Sequence, residues 1–295
     1  MVTLRIALIA LLTVPLMAET FKSHDGTVLH YDVIGRGTPV LLLSGGPGFS
    51  PDYLRPIADR LSGKYKFILL HQRGTGKSTD GSNMQMPKLV ADVEALRKEL
   101  GVEKLILAGH SFGGILSMMY AREHPNRIGA LALIDSGGPT LKSVVKFNQN
   151  LESRFTDDEK ARIKEWTARA KDEHAKAVLE ITRAKTPAYF ADRAKAKQLM
   201  DSLDEHSFRD TVFWAIVPQM MALDIRAGLE KVKAPVLVIH GKQDPLETAQ
   251  EVHETFPGSR LEMLDDAGHF PWLEQPDRFY KVLDGFLAQV AENCH

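Results

Sequence analysis

Short apolar runs recur through the first half of the chain, and each ends in a turn rich in glycine and small polar residues. Residues 39–43 run into Ser44-Gly45-Gly46-Pro47-Gly48, 67–70 into His71-Gln72-Arg73-Gly74, 105–108 into Gly109-His110-Ser111-Phe112-Gly113, and 130–134 into Asp135-Ser136-Gly137-Gly138. Runs with no polar alternation read as strands covered on both faces. Helical periodicity fills the gaps at 51–61, 87–100 and 115–123; the second of these places Leu89, Val93, Leu96 and Leu100 on one face before stopping at Gly101. Ahead of them, 21–22 and 27–33 alternate around Asp25-Gly26, which is a hairpin signal. This order of elements predicts an α/β architecture with a mainly parallel, doubly wound sheet. Its ligands sit where the strands open into loops at their carboxyl ends.

From Pro139 to Pro235 the strand rhythm stops. The stretch is rich in Lys, Arg, Glu and Ala and has helical period over 158–170, 174–184, 191–203 and 208–222. The expectation is a helical cap over 139–229 inserted into a core made of 19–138 and 230–295, lying as a lid over the strand ends and supplying much of the substrate pocket. Most of its charges read as a solvated face, and Phe213, Trp214, Met220 and Met221 as lid core or pocket wall. The rhythm returns at 235–239, ending in His240-Gly241-Lys242-Gln243-Asp244, and at 260–264, ending in Asp265-Asp266-Ala267-Gly268-His269. A helix over 276–291 closes the chain.

Chemistry enters with the third run. A serine between Gly109 and Gly113, after a buried strand and before a helix, is placed as a nucleophile elbow, because only small neighbours tolerate the sharp turn that lifts its hydroxyl clear. Ser111 is the candidate nucleophile. A hydroxyl is a poor nucleophile at neutral pH and needs a base, for which His269 is well placed; Asp244, just past another buried strand, would fix the tautomer of that imidazole. The candidate catalytic set is Ser111, Asp244 and His269, with the Gly46 and Phe112 N–H groups as the oxyanion hole; Pro47 has no N–H to offer. Asp265 and Asp266 are runners-up for the acid, disfavoured by their closeness in sequence to His269. His110 and His240 flank the site and read as packing residues, and His71 as a brace for the oxyanion loop. Gly76-Lys77-Ser78 resembles a phosphate-binding loop, but the position five residues before Gly76 holds His71 where that motif needs glycine, so nucleotide binding is set aside.

Composition narrows the partners. The 295 residues are 44% hydrophobic and 25% charged, enough for one sizeable catalytic core, and the formal net charge of −1 leaves no basic face for nucleic acid. The single cysteine, Cys294, excludes a disulfide framework and a thiolate metal site; no cofactor or metal is called for. Residues 1–18 read as a signal peptide, with Arg5 before an apolar run, Pro15 as a break and Ala18 at the cleavage point. The expectation is therefore a secreted or periplasmic protein without stable membrane insertion after cleavage, or a cytoplasmic one if this segment is not a leader. The expected partner is a small-molecule or short-peptide substrate.

From about Phe21 onward the chain resembles the α/β-hydrolase superfamily. Gly45-Gly46-Pro47-Gly48 together with Gln72-Arg73-Gly74-Thr75-Gly76-Lys77-Ser78 is similar to the proline iminopeptidase group within it. That group usually has His where Ser44 stands and Asp where His71 stands, and an elbow reading Gly-Gly-Ser-Trp-Gly; the elbow here and Gly-His-Phe-Pro-Trp-Leu-Glu-Gln-Pro around His269 have the general hydrolase form. The resemblance implies an α/β-hydrolase fold with an inserted cap. It also implies an aminopeptidase acting on small peptides through an acyl-enzyme, with acidic cap residues meeting the substrate's free amine. Glu152, Asp157, Glu180, Asp204 and Glu205 are acids this cap offers. An esterase or other acyl hydrolase is the alternative, and a ligand-binding member without turnover a further one. Epoxide and haloalkane hydrolases use Asp where this elbow has Ser111.

Overall fold

The runs of leucine, isoleucine and valine become the central strands of one eight-stranded sheet in the computed structural model, which describes residues 17–79, 81–82, 84–140, 142–221 and 223–292. The strands are β1 (Met17–Lys22), β2 (Val28–Gly35), β3 (Thr38–Leu43), β4 (Tyr65–His71), β5 (Leu105–His110), β6 (Ile128–Ile134), β7 (Val236–Gly241) and β8 (Arg260–Leu264). Their order in the sheet is β1-β2-β4-β3-β5-β6-β7-β8. β2 is antiparallel to both β1 and β4, and every other pairing is parallel. The doubly wound expectation therefore holds, and β5 lies near the middle with its carboxyl end between those of β3 and β6.

Both faces of the sheet are covered. Successive residues of a strand point to opposite sides, so Leu41 and Leu43 pack with α2 (Met86–Glu99) and α3 (Phe112–Glu123), while Val40 and Leu42 pack with α1 (Arg55–Leu61) and the closing helix. Each such buried side chain contributes roughly 1.5–3 kcal/mol, which is why a polar residue within these runs would be poorly tolerated.

Between β6 and β7 the chain forms α4 (Lys142–Ser153), α5 (Asp157–Arg169), α6 (His174–Lys185), α7 (Ala196–Ser202) and α8 (Asp210–Met220). α9 (Ala249–Thr255), α10 (Pro271–Glu274) and α11 (Pro276–Glu292) complete the order. α5 begins where a capping box permits it, with Thr156 accepting from the Glu159 N–H and Glu159 accepting from the Thr156 N–H. The helix expected over 191–203 is shorter, because the Asp192 carboxylate accepts from the Ala194 N–H and sets a 3-10 turn ahead of α7. α4 lies ahead of the helical periods read over 158–222, in a stretch where Val144, Phe147 and Leu151 recur at helical spacing.

The leader expected over 1–18 lies outside the described residues except for Met17 and Ala18, which pair with Val33 and Asp32 in β1. Cys294 lies outside them as well. Among the described residues no helix is long and apolar enough to cross a membrane.

Candidate active site

The end of β5 turns so sharply into α3 that Ser111 sits at φ 56°, ψ −118°, a conformation costing about 1–3 kcal/mol for a residue with a side chain. Three hydrogen bonds hold it there. The Ser111 N–H donates to Ile134 O at 3.1 Å, and its carbonyl accepts from the Gly114 and Gly137 N–H groups at 3.0 Å each. The flanking glycines are dictated by contact: a Cβ on Gly109 would stand 2.3 Å from Gly113 O, and one on Gly113 2.1 Å from Leu43 O. α3 points its positive end at this turn, and the Phe112 N–H makes no hydrogen bond to another protein group among the described residues. The Gly46 N–H, in the loop after β3, is likewise free.

His269 and Asp244 come together from the ends of β8 and β7, with His269 Nδ1 2.8 Å from Asp244 Oδ2 and both residues buried. Burial opposes charge on each: it lifts the Asp244 carboxyl above the ordinary range and holds the His269 imidazole below it. The Leu246 N–H, donating to Oδ1 at 2.8 Å, offsets part of that burial at Asp244. The resting ring is thus neutral, with Nδ1–H donating to Asp244 and Nε2 left as the basic atom. Ser111 Oγ makes no hydrogen bond among the described residues. Contacts between nucleophile and base commonly close only once substrate is bound.

Asp265, a runner-up for the acid, turns outward to Lys242 and Arg278, and Asp266 occupies a positive-φ turn. His71 donates or accepts within its own surroundings, lying 3.4 Å from Asp32 and accepting from the Lys77 N–H at 3.2 Å, so it braces the loop after β4. That loop in turn holds the loop after β3: Gln72 Nε2 donates to Ser44 O at 2.8 Å and to Ser44 Oγ at 3.0 Å. Of the apolar cap residues, Met220 is buried, whereas Trp214 is 67% exposed and Met221 51%, which takes these two out of the lid core. Their side of α8 faces solvent because Val212, Ile216 and Met220 carry the contact with the core.

Several residues that sequence reasoning passed over are built into the site. Glu274, buried, accepts from the Gly268 N–H at 2.6 Å and from the Ala191 and Asp192 N–H groups at 2.8 and 3.0 Å, joining the His269 loop to the inserted helices. Its clue was a carboxylate in an otherwise apolar run near His269. The carboxylate of Asp135, just past β6, accepts from the Gly241 N–H at 2.8 Å. Burial and then the charge of Asp244 raise its pKa well above the ordinary value. Oxygens of Asp135 and Asp244 and a ring nitrogen of His240 lie within 4.8 Å of one another; a second such group is Asp32, Asp52 and His71. Asp244 is already committed to His269, and Asp32 to Lys77 and His71, so neither is a set of ligands waiting for a metal. Aromatic rings flank the base: Tyr189 at 5.5 Å and Phe147 at 6.2 Å between centroids.

Comparison with known proteins gives a consistent picture. Residues 38–276 match the family described as the alpha/beta hydrolase fold. A proline iminopeptidase of Saccharolobus solfataricus is 27% identical over 296 aligned residues, covering 92% of this chain and 93% of its own length. Among solved structures, an esterase from Exiguobacterium antarcticum superimposes with a TM-score of 0.68 at 23% identity, covering 92% of this chain and 100% of that one. The proline iminopeptidase of Mycobacterium smegmatis does so with a TM-score of 0.66 at 20% identity, covering 95% and 100%.

Proposed function

This chain belongs to the α/β-hydrolase fold family, and from that premise we propose that it is a serine hydrolase working through an acyl-enzyme. Ser111 Oγ attacks the substrate carbonyl while His269 Nε2 takes its proton, and the N–H groups of Gly46 and Phe112 meet the oxyanion. The imidazolium, stabilised by Asp244, hands that proton to the leaving group as the carbon–nitrogen or carbon–oxygen bond breaks. Water then attacks the acyl carbon, again through His269, and frees Ser111. The observation that carries this reading is the 2.8 Å Asp244–His269 contact at two strand ends beside a serine strained to φ 56°.

Within that chemistry the substrate class we assign is a small peptide with a free N-terminal proline or other small residue, with 139–229 acting as the lid. Similarity to proline iminopeptidases across nearly the whole chain supports it, as do Gly45-Gly46-Pro47-Gly48 and Gln72-Arg73-Gly74. Ester hydrolysis is the second reading, favoured by how the cap acids are engaged. Glu180 pairs with Arg162 and Arg183, Asp204 accepts from Ser207 and from the His206 N–H, and Asp157 is exposed beside Lys160. A buried ammonium without a carboxylate partner would cost several kcal/mol, so the amine needs one at the mouth of the site. Proline and alanine p-nitroanilides should be cleaved faster than their N-acetyl forms. Equal rates, with p-nitrophenyl butyrate much the better substrate, would transfer the assignment to the esterase. Export is part of the proposal too: the mature protein should begin near Glu19 by mass spectrometry, and an intact Met1 would overturn that part.

A further inference from the structure

We propose that Tyr53 and His110 are positioning residues whose side chains form one hydrogen-bonded bridge, tying the loop that carries Gly46 to the loop that carries His269. The inference rests on the serine-hydrolase reading for its kinetic consequence, but the bridge itself stands on geometry alone. The Gly45 N–H donates to Tyr53 Oη at 2.7 Å, Tyr53 Oη lies 2.7 Å from His110 Nδ1, and His110 Nε2 lies 2.9 Å from His269 O.

The direction of every bond follows from the two ends. A carbonyl oxygen only accepts, so His110 Nε2 must carry the proton it shares with His269 O. A neutral ring protonated at Nε2 leaves Nδ1 as an acceptor. Tyr53 must therefore donate to it, which leaves the phenol oxygen to accept from the Gly45 N–H. Each donor has one acceptor and none is left over. Burial and the nearby His269 hold the His110 pKa well below its ordinary value, so the neutral ring that this pattern requires is the one present.

The surroundings leave the bridge little freedom. His110 is 3% exposed, its ring edge-on to Trp272 at 4.9 Å, and the Tyr53 ring packs against Phe49 and Phe270 at 5.6 and 6.1 Å. Gly45 is where the bridge and the nucleophile meet: a Cβ there would stand 2.8 Å from Ser111 Cβ, 3.1 Å from Tyr53 Oη and 3.3 Å from His110 Nδ1. The oxyanion loop, the nucleophile and the base thus share one set of contacts, although they come from different strands. Neither side chain needs to touch substrate, and the consequence is placement of N–H and imidazole at the distances the transition state requires.

Tyr53→Phe keeps the ring and removes only the hydroxyl. It should lower kcat between about 10- and 100-fold while KM for a p-nitrophenyl ester stays within about twofold. His110→Gln keeps a donor for His269 O and should lose less than His110→Leu, and Tyr53→Phe/His110→Leu should be about as slow as the slower single variant, because both break the same bridge. A kcat for Tyr53→Phe within about twofold of wild type, or losses that multiply in the double variant, would overturn the proposal. Nitrogen-detected NMR of the wild-type histidines gives a measurement independent of variant folding and of turnover: His110 should be neutral and protonated at Nε2, and a ring protonated at Nδ1 would rule the bridge out. Turnover by Ser111→Ala at the wild-type rate would defeat the serine-hydrolase reading, while the tautomer would still decide whether the bridge exists.

Discussion

The loops at the strand ends and the helices inserted between β6 and β7 are held by different physics. In the loop after β4, the Arg73 side chain has no exposure and is satisfied on every side: two hydrogen bonds to the Asp92 carboxylate, at 3.0 and 2.6 Å, and further bonds to Thr27 and Asp25. α5 and α6 carry ion pairs at the surface instead, such as Arg169 of α5 with Glu165 and with Glu173 just ahead of α6, whose side chains are 41%, 62% and 37% exposed. The contrast separates two jobs. Groups that must meet a transition state need positions fixed before the reaction begins, which buried and fully paired polar contacts provide. In the proposed function the inserted helices are walls that choose a substrate; these need only shape, and solvated ion pairs let that shape drift at little energetic cost.

The sharpest way to test the contrast is to remove the chemistry without the scaffold. Ser111→Ala should reduce turnover by roughly 10⁴ to 10⁶ with an unchanged circular dichroism spectrum, and Asp244→Asn by about 10⁴. If Asp265→Asn proved as damaging as Asp244→Asn, the acid assignment would be wrong. Next in size is the scaffold of the strand-end loops: Arg73→Leu leaves Asp92 buried and unpaired and should destabilise the protein by about 3–5 kcal/mol in urea unfolding. A loss under about 1 kcal/mol would mean this network is no firmer than a surface pair.

A smaller effect concerns pH. In the proposed mechanism the neutral form of His269 is the base, so kcat/KM falls as pH drops through its folded pKa; burial depresses that pKa, so the acid limb should have its midpoint below the ordinary histidine value of 6.5. A midpoint above 6.5 would show that the Asp244 carboxylate outweighs burial at the imidazole. The smallest effect should come from the inserted helices: Arg169→Ala is expected to leave the thermal midpoint and kcat within error, and a large fall in either would remove the distinction between the two regions.

Much of the site was open to sequence reading because its parts follow local rules. Ser111 stands between glycines that only a sharp strand-to-helix turn requires, and Asp244 and His269 each follow an apolar run. The inserted helices were legible only in part. Periods found over 158–170 and 174–184 correspond closely to α5 (Asp157–Arg169) and α6 (His174–Lys185), whereas the helical spacing of Val144, Phe147 and Leu151 in α4 was not assigned to a helix. Trp214 reads from sequence as lid core or pocket wall, and its exposure removes it from the lid core.

By itself the sequence determined the strand and helix order, the parallel sheet and the candidate nucleophile, base and acid, because hydrophobic period and glycine placement are encoded within a few neighbouring residues. Only the tertiary structure decided what those residues lean on. Tyr53 and His110 are 57 positions apart, His110 and His269 are 159, and Glu274 reaches back 83 to Ala191. No local pattern records such pairings, since each depends on which strand ends the sheet order brings together. Buried hydrogen bonds also have strict distance and direction requirements that residue type alone does not express.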